Sequence, residues 1–373
     1  MAAELRATIL NGSYQAGARL PTRIELAEQF QTTPVRVQKA LDLLDKEGLI
    51  CSRGCLGTFV SETFPVKRPY ALTFPLSVGA LNSHFYRTIL SVAEKRTGQS
   101  SLEVFHGIDA RLDEPDYLRL TEMVKNHSVA GIIFAAFPRA LGDSSIVRET
   151  SMPRVLIQGG RTAIGIPSVY PDMDALLTQA IQYLAGRGRR RLAVVSLVNS
   201  YGDLPPVEKM QKLASKFGMM LRPEWLQGVH SDALPWGEQV GRILFGMGRN
   251  QRPDALVISD DNLVPSVTAG IMLSGIRVPQ DLEIVAHANF PQPTPSAVPA
   301  ARLGFDISSL LEMCLDRIDQ QCRGEVPVPS TALQAVFEDE LGLGQDQSIT
   351  RKISIKDGGH ETDRPTQKDL VLT

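Results

Sequence analysis

The sequence predicts an α/β chain in which a small helical unit closed by a β-hairpin precedes a two-lobed domain of parallel sheets. Three observations carry this. The first sixty residues show helical apolar spacing with start and stop signals, and then two short β-type runs. From residue 70 onward, six near-continuous apolar runs alternate with helical stretches. The length of 373 residues, with 43% hydrophobic and 21% charged side chains, provides a large core and argues against a disordered chain.

The elements follow in order. Leu5, Ile9 and Leu10 recur at helical spacing until Asn11-Gly12-Ser13 stops them. Pro21-Thr22 opens a second helix with Thr22 as N-cap and Leu26, Ala27 and Phe30 facing inward. Thr33 caps a third, with Pro34 at its first position, where the missing N–H costs nothing. Val37, Ala40, Leu41 and Leu44 continue that helix and Gly48 closes it. Residues 49–52 and 58–60 then form a hairpin around Arg53-Gly54-Cys55-Leu56-Gly57.

Three helices and a hairpin make a winged helix-turn-helix, and the run LPTRIELAEQFQTTPVRVQKALDLLDKEGLICSRGCLGTFV (residues 20–60) resembles the DNA-binding domain of the GntR family of bacterial transcription regulators. It departs from that pattern at Ile24, where the family usually has a basic residue, and at Pro34. The resemblance implies contacts to double-stranded DNA from Arg23, Thr33, Arg36, Gln38, Lys39, Arg53 and Thr58. Arg36 suits guanine and Gln38 adenine, because the major groove presents a distinct donor and acceptor pattern for each base pair. Lys39 suits a phosphate, while Arg53 and Thr58 of the wing suit backbone or minor groove. Residues 1–68 carry a net charge of +2 against −4 for the remainder, which fits a small DNA footprint rather than a long basic track.

Residues 61–69, with two prolines and a basic pair, read as a linker between domain 1–60 and domain 70–340. The apolar runs YALTFPL, AGIIFAA, RVLIQGG, RLAVVSLV, DALVIS and LEIVAHA read as parallel strands covered on both faces. The helices between them are expected over residues 85–96, 174–185, 207–217 and 264–273. Asn82-Ser83-His84-Phe85, SVAGIIFAAFP, PRVLIQGG, AIQYLAGRGRRRLAVVS and above all residues 252–289 resemble LacI-type effector domains, which share the two-lobed periplasmic-binding-protein fold.

That resemblance implies a small-molecule effector, carbohydrate-like in class, between the lobes. Asp261 stands at the family's ligand-binding Asp by its spacing to Gly275, and Asp260 where Asn is usual. Asp261 also suits a helix N-cap. Phe85 is the candidate stacking residue or a core residue, and His84 is its polar neighbour. Where the family commonly has an Arg, this chain has residues 203–209, with Lys209 as the cation close by. Asn289 follows the strand LEIVAHA, where Asp is usual. These departures from the family's usual pentose or hexose contacts leave three expectations open: an effector that is larger, one that is differently charged, or none.

No cofactor, metal or catalytic group is expected. The lysines between 70 and 340 all lie in helical stretches, no nucleophile elbow, zinc-protease or phosphate-loop motif occurs, and Cys51 and Cys55 lack further ligands. No 18-residue apolar run or secretory leader is present, so a cytoplasmic protein without membrane contact is expected, its four cysteines kept as thiols. The arginines of residues 187–191 sit at a helix-to-strand turn and suit helix carbonyls or solvent. Residues 341–373 are polar and mostly aperiodic, and read as a disordered tail. The expected function is a homodimeric, ligand-responsive DNA-binding regulator, with repression the expected mode. The alternative is a regulator whose second domain only dimerises.

Overall fold

The computed structural model describes residues 1–10, 13–61, 68–76, 83–96, 102–109, 113–126, 128–137, 144–148, 152–157, 165–198, 204–246, 248 and 252–342. Most of the linker (62–67), nearly all of the tail (343–373), Asn82 and Asp203 lie outside these residues.

The N-terminal unit consists of α1 (Ala2–Leu10), α2 (Arg23–Gln29), α3 (Pro34–Lys46) and the antiparallel pair β1 (Ile50–Ser52) and β2 (Thr58–Val60). Its helix starts have the local causes the sequence suggests. Thr22 and Glu25 form a reciprocal capping box: the Glu25 N–H reaches Thr22 Oγ1 at 3.4 Å and the Thr22 N–H reaches Glu25 Oε2 at 2.7 Å. Thr33 Oγ1 accepts from the Arg36 N–H at 3.5 Å, with Pro34 at the first helical position. Gly48 ends the run at φ 68°, a left-handed conformation glycine adopts without strain. Leu5, Ile9, Leu26, Val37, Leu41, Leu44, Ile50 and Val60 form a core of their own. At the junction with the two-lobed domain, beside Val129, Met152 and Cys322, Arg6 donates to both Glu47 oxygens, at 2.9 and 2.5 Å.

The rest of the chain runs β3 (Tyr70–Thr73), α4 (His84–Arg96), β4 (Leu102–Phe105), α5 (Pro115–Lys125), β5 (Gly131–Phe134), α6 (Ser145–Arg148), β6 (Arg154–Leu156) and β7 (Ser168–Pro171). It continues through α7 (Met173–Gly186), β8 (Leu192–Val198), α8 (Val207–Lys216), β9 (Leu226–His230), α9 (Trp236–Phe245), β10 (Ala255–Ile258), α10 (Val264–Leu273), β11 (Glu283–Phe290) and β12 (Ala301–Asp306). It closes with α11 (Ile307–Cys322), β13 (Ser330–Leu333) and β14 (Val336–Phe337).

These strands form two six-stranded sheets. Lobe 1 has the order β13-β7-β6-β5-β3-β4 and every pair is parallel. Lobe 2 has the order β14-β12-β11-β10-β8-β9, parallel except for β12 with β14. The chain crosses between lobes after β7, after β12 and after β13. The four helices whose ranges the sequence predicts are present to within a residue at each end, while it predicts no range for α5, α6, α9 and α11.

One core cluster joins the lobes, taking Leu72 and Ile133 from lobe 1 together with Val194, Val257 and Phe305 from lobe 2. Helix α11 is part of it through Leu310, Leu311, Cys314 and Ile318. On the outer face of lobe 2, α9 packs on α10 so closely that a Cβ at Gly270 would stand 2.1 Å from the Glu238 carbonyl oxygen. Only glycine permits that approach.

In each lobe the strand order reverses beside the first strand, between β3 and β5 and between β8 and β10. The crevice outside the carboxyl ends of the strands at such a switch point is where ligands bind in open α/β sheets.

Candidate functional site

The exposed end of α3 carries Arg36 and Lys39, both open to solvent, while Gln38 is half-buried. Gln38 is already engaged: Oε1 accepts from Arg23 Nη1 at 2.6 Å and Nε2 donates to Asp42 Oδ1 at 2.6 Å. Reading a base with Gln38 therefore means exchanging those bonds, whereas Arg36 points outward at the start of the helix. Thr33 is the α3 cap. On the hairpin, the Arg53 guanidinium lies over the Phe59 ring at 5.0 Å, and Thr58 lines a groove of about 460 Å³ between α2, α3 and the hairpin. The groove also holds Arg19, Arg23, Asp42 and Asp45, so its lining has both signs. The side chain of Cys55, at the hairpin tip, lies outside the description.

The second site is where the two switch points meet. Asp260 and Asp261 follow β10, and His84 opens α4, which follows β3. His84 Nδ1 lies 2.8 Å from Asp261 Oδ2, and the His84 N–H donates to Asn262 Oδ1 at 2.9 Å. These bonds cross from lobe 1 to lobe 2. Gln292 Nε2, donating to Ser91 Oγ at 2.8 Å, is a third.

Asp261 is only 1% exposed. Asn289 Nδ2 donates to its Oδ2 at 2.7 Å, its own N–H donates to His287 Nδ1 at 3.2 Å, and Thr294 Oγ1 donates to its carbonyl at 3.0 Å. Burial is the largest influence on its carboxyl and acts to raise the pKa. The His84 hydrogen bond, the nearby His287 and the Asn289 amide outweigh it, so Asp261 titrates below the ordinary carboxylate value. Asp260 goes the other way. Burial, with the Asp261 charge adding to it, pushes Asp260 above its ordinary value against His287 and the two Asn262 hydrogen bonds.

The structure brings together His84, Asp260, Asp261 and Asn289 among the residues expected from the sequence. Phe85 is half-buried against the shared core, its ring 5.8 Å from Tyr86, so its packing role is realised. Lys209 does not join the cluster: its Nζ donates to Asp174 Oδ1 at 3.0 Å, with both side chains largely exposed. His287 went unnoticed in the sequence. With Glu283 at the strand's start, it and Asn289 are the polar residues on one face of an otherwise apolar strand, which is the signal that could have marked it.

The arginines of residues 187–191 are spent on structure. Arg189 donates to the Pro279 and Gln280 carbonyls and pairs with Glu283, Arg190 donates to the Ala185 carbonyl, and Arg191 pairs with Asp254. No His, Cys, Asp and Glu group among the described residues could hold a metal, and none of their helices is long and apolar enough to cross a membrane.

Comparison with known proteins agrees with both halves. Residues 1–60 match the profile of bacterial regulatory proteins of the gntR family, and residues 181–335 that of the periplasmic binding protein-like domain. The chain is 22% identical to the arabinose metabolism transcriptional repressor of Geobacillus stearothermophilus over 335 residues, covering 85% of this chain and 90% of that one. A regulatory protein of the LacI family from Chloroflexus aggregans superposes with a TM-score of 0.55 at 15% identity, over 73% of this chain and 97% of the other. A LacI family transcriptional regulator from Lactobacillus casei with bound sucrose gives 0.51 at 17% identity, over 72% and 98%. By their names these relatives are regulators of transcription or regulatory proteins. Residues 1–60 thus carry the match to the gntR family of bacterial regulatory proteins and residues 181–335 the match to the periplasmic binding protein-like domain, in a chain whose two lobes share the fold of the solved LacI-family regulators.

Proposed function

We propose that the protein is a cytoplasmic, homodimeric repressor whose grip on a DNA operator is set by a small, sugar-like effector between its lobes. The observation that carries this is the meeting of the two switch points at His84 and Asp261, in a chain whose other end is a winged helix. In this reading Arg36 reads a base, Lys39 and Arg53 meet phosphate, Arg23, Thr33, Gln38 and Thr58 complete the contact, and residues 61–69 link the domains. His84, Asp260, Asp261 and Asn289 face the effector, with Phe85 beside them, while Lys209, paired with Asp174, is left out of the site. The relatives' names, one an arabinose metabolism repressor and one holding sucrose, support the effector class.

A single recognition helix reads only a few base pairs, so two copies supply the specificity. The proposed face for the second copy is the outer surface of α9 and α10. There Trp236, Ile243, Met272 and Leu273 are 65%, 64%, 54% and 58% exposed, a density of large apolar side chains unusual for a surface that stays in water. A thermal-shift screen of the full chain with sugars, nucleosides and polyols tests the effector, because a ligand that binds the native state must raise its stability.

One observation favours a second reading, a domain that dimerises and binds nothing: the protein's own groups already fill Asp261. An empty screen would support that reading.

A further inference from the structure

We infer that His84 is a displaceable gate over a hydroxyl-binding site made by Asp261, His287 and Asn289, so that the effector is an uncharged, polyhydroxylated molecule that enters by taking the imidazole's place. This rests on the reading that an effector binds between the lobes.

His287 and Asn289 are two residues apart on β11 and therefore project from the same face of the strand. Both are turned onto Asp261, and both are buried, at 8% and 0% exposure. His287 Nδ1 receives the Asp261 N–H, so in the neutral ring the proton is on Nε2. That Nε2 is buried without a hydrogen-bond partner among the described residues, and so is Asn289 Oδ1. Two buried polar atoms left unmet, on two residues that both bond Asp261, are uncommon in a native core, where such groups are almost always paired. One is a donor and the other an acceptor, which is the pair of functions a single hydroxyl carries.

A ligand hydroxyl that reaches both atoms would accept from His287 and donate to Asn289. A neighbouring hydroxyl could donate to Asp261 Oδ2, but His84 holds that oxygen from across the cleft. His84 also donates its backbone N–H to Asn262, so α4 and lobe 2 are pinned at the point a ligand must occupy. Gaining Asp261 means swinging the imidazole aside or parting the lobes. The charges select the class. The Asp261 carboxylate opposes an anion, Lys209 is engaged elsewhere, and an ammonium offers nothing for the His287 donor to meet.

The test uses the full-length protein and calorimetric titration with L-arabinose, D-glucose, sucrose and D-glucuronate. The variants are His84→Ala, His84→Gln and His287→Phe, with circular dichroism confirming that each is folded. If His84→Ala is poorly folded, His84→Gln carries the comparison. We expect a neutral sugar to bind His84→Ala about tenfold more tightly than the parent. His84→Gln, which keeps a donor, should stay within a few-fold of the parent. His287→Phe should weaken binding at least tenfold, and glucuronate should not bind. Unchanged or weaker sugar binding in His84→Ala, with the parent binding normally, overturns the gate and leaves the effector reading intact. Parent-like affinity in His287→Phe means that a buried water alone meets Nε2, and overturns the site. Preference for glucuronate overturns the class. If no sugar binds the parent or His84→Ala, the effector reading falls with the proposal.

Discussion

Removing the carboxylate of Glu47 should melt the winged helix while sparing the lobes. Glu47 is the sole acid bonded to the Arg6 side chain among the described residues, accepting from Nε and Nη2 in a two-pronged pair, and the two side chains are 1% and 10% exposed. Burial alone would lower the Arg6 pKa, yet the Glu47 hydrogen bonds and charge more than offset this and raise it. In Glu47→Ala the guanidinium stays buried without compensation, a loss of about 3–5 kcal/mol for a buried pair broken on one side. A domain of this size holds no more than roughly 3–5 kcal/mol in all. The loss is therefore on the scale of the domain's whole stability, and its apolar core is separate from those of the lobes. Scanning calorimetry of the full chain should show a low-temperature transition moving down or vanishing while the main transition stays, and operator binding should fail. The double change Arg6→Met with Glu47→Leu should restore much of the loss, because two apolar side chains leave no charge stranded. A cost below about 1 kcal/mol in Glu47→Ala, the figure for an exposed pair, would refute the reasoning, since it would mean that water reaches the guanidinium.

Further outcomes follow from the same structure. Arg36→Ala should cost about 1–3 kcal/mol on the operator and flatten preference at one base pair, whereas Lys39→Ala should weaken all sequences alike and lower the salt slope by about one, both read from gel-shift series. Trp236→Glu with Met272→Glu should turn the dimer into monomers in sedimentation velocity; an unchanged dimer would place the interface elsewhere. Asp260→Asn keeps the bond to the Asn262 N–H and removes a carboxylate that burial holds above its ordinary pKa. Such a group favours the native state below its unfolded value, near 3.9, and this advantage is lost as pH rises through the folded one. The variant should therefore gain on the parent in urea midpoint as pH rises from about 4 toward 7.5, and an equal difference at every pH would refute the assignment.

Much of this was legible in the residues because its causes are local. Thr22 with Glu25, Thr33 with Pro34, and Gly48 each act within one turn of helix, so α2, α3 and the start of the hairpin could be placed from the sequence. Helix α9 is hard to read from the sequence because Gly237 and Gly241 depress helical propensity; its stability comes from packing on α10, which only the tertiary structure supplies. Strands β13 and β14 are short edges whose pairing partners lie far away in the chain. The cleft shows the same division. Asp261, Asn289 and His84 were each singled out, but the bond between His84 and Asp261 spans 177 positions. No spacing rule reaches that far. His287 needed the knowledge that its strand is covered on both faces, so that a histidine there must find a partner or a purpose.

The claim at the centre of this account is that effector and operator are linked through one chain. The most direct measurement is fluorescence anisotropy of an operator duplex, selected from random DNA, titrated with the full-length protein with and without a saturating amount of the sugar that stabilises it most. The account predicts a shift in operator affinity of about 5–150-fold, and an equal shift in sugar affinity when operator is present, since linkage makes the two reciprocal. Operator affinity that stays the same while the sugar is demonstrably bound would contradict it.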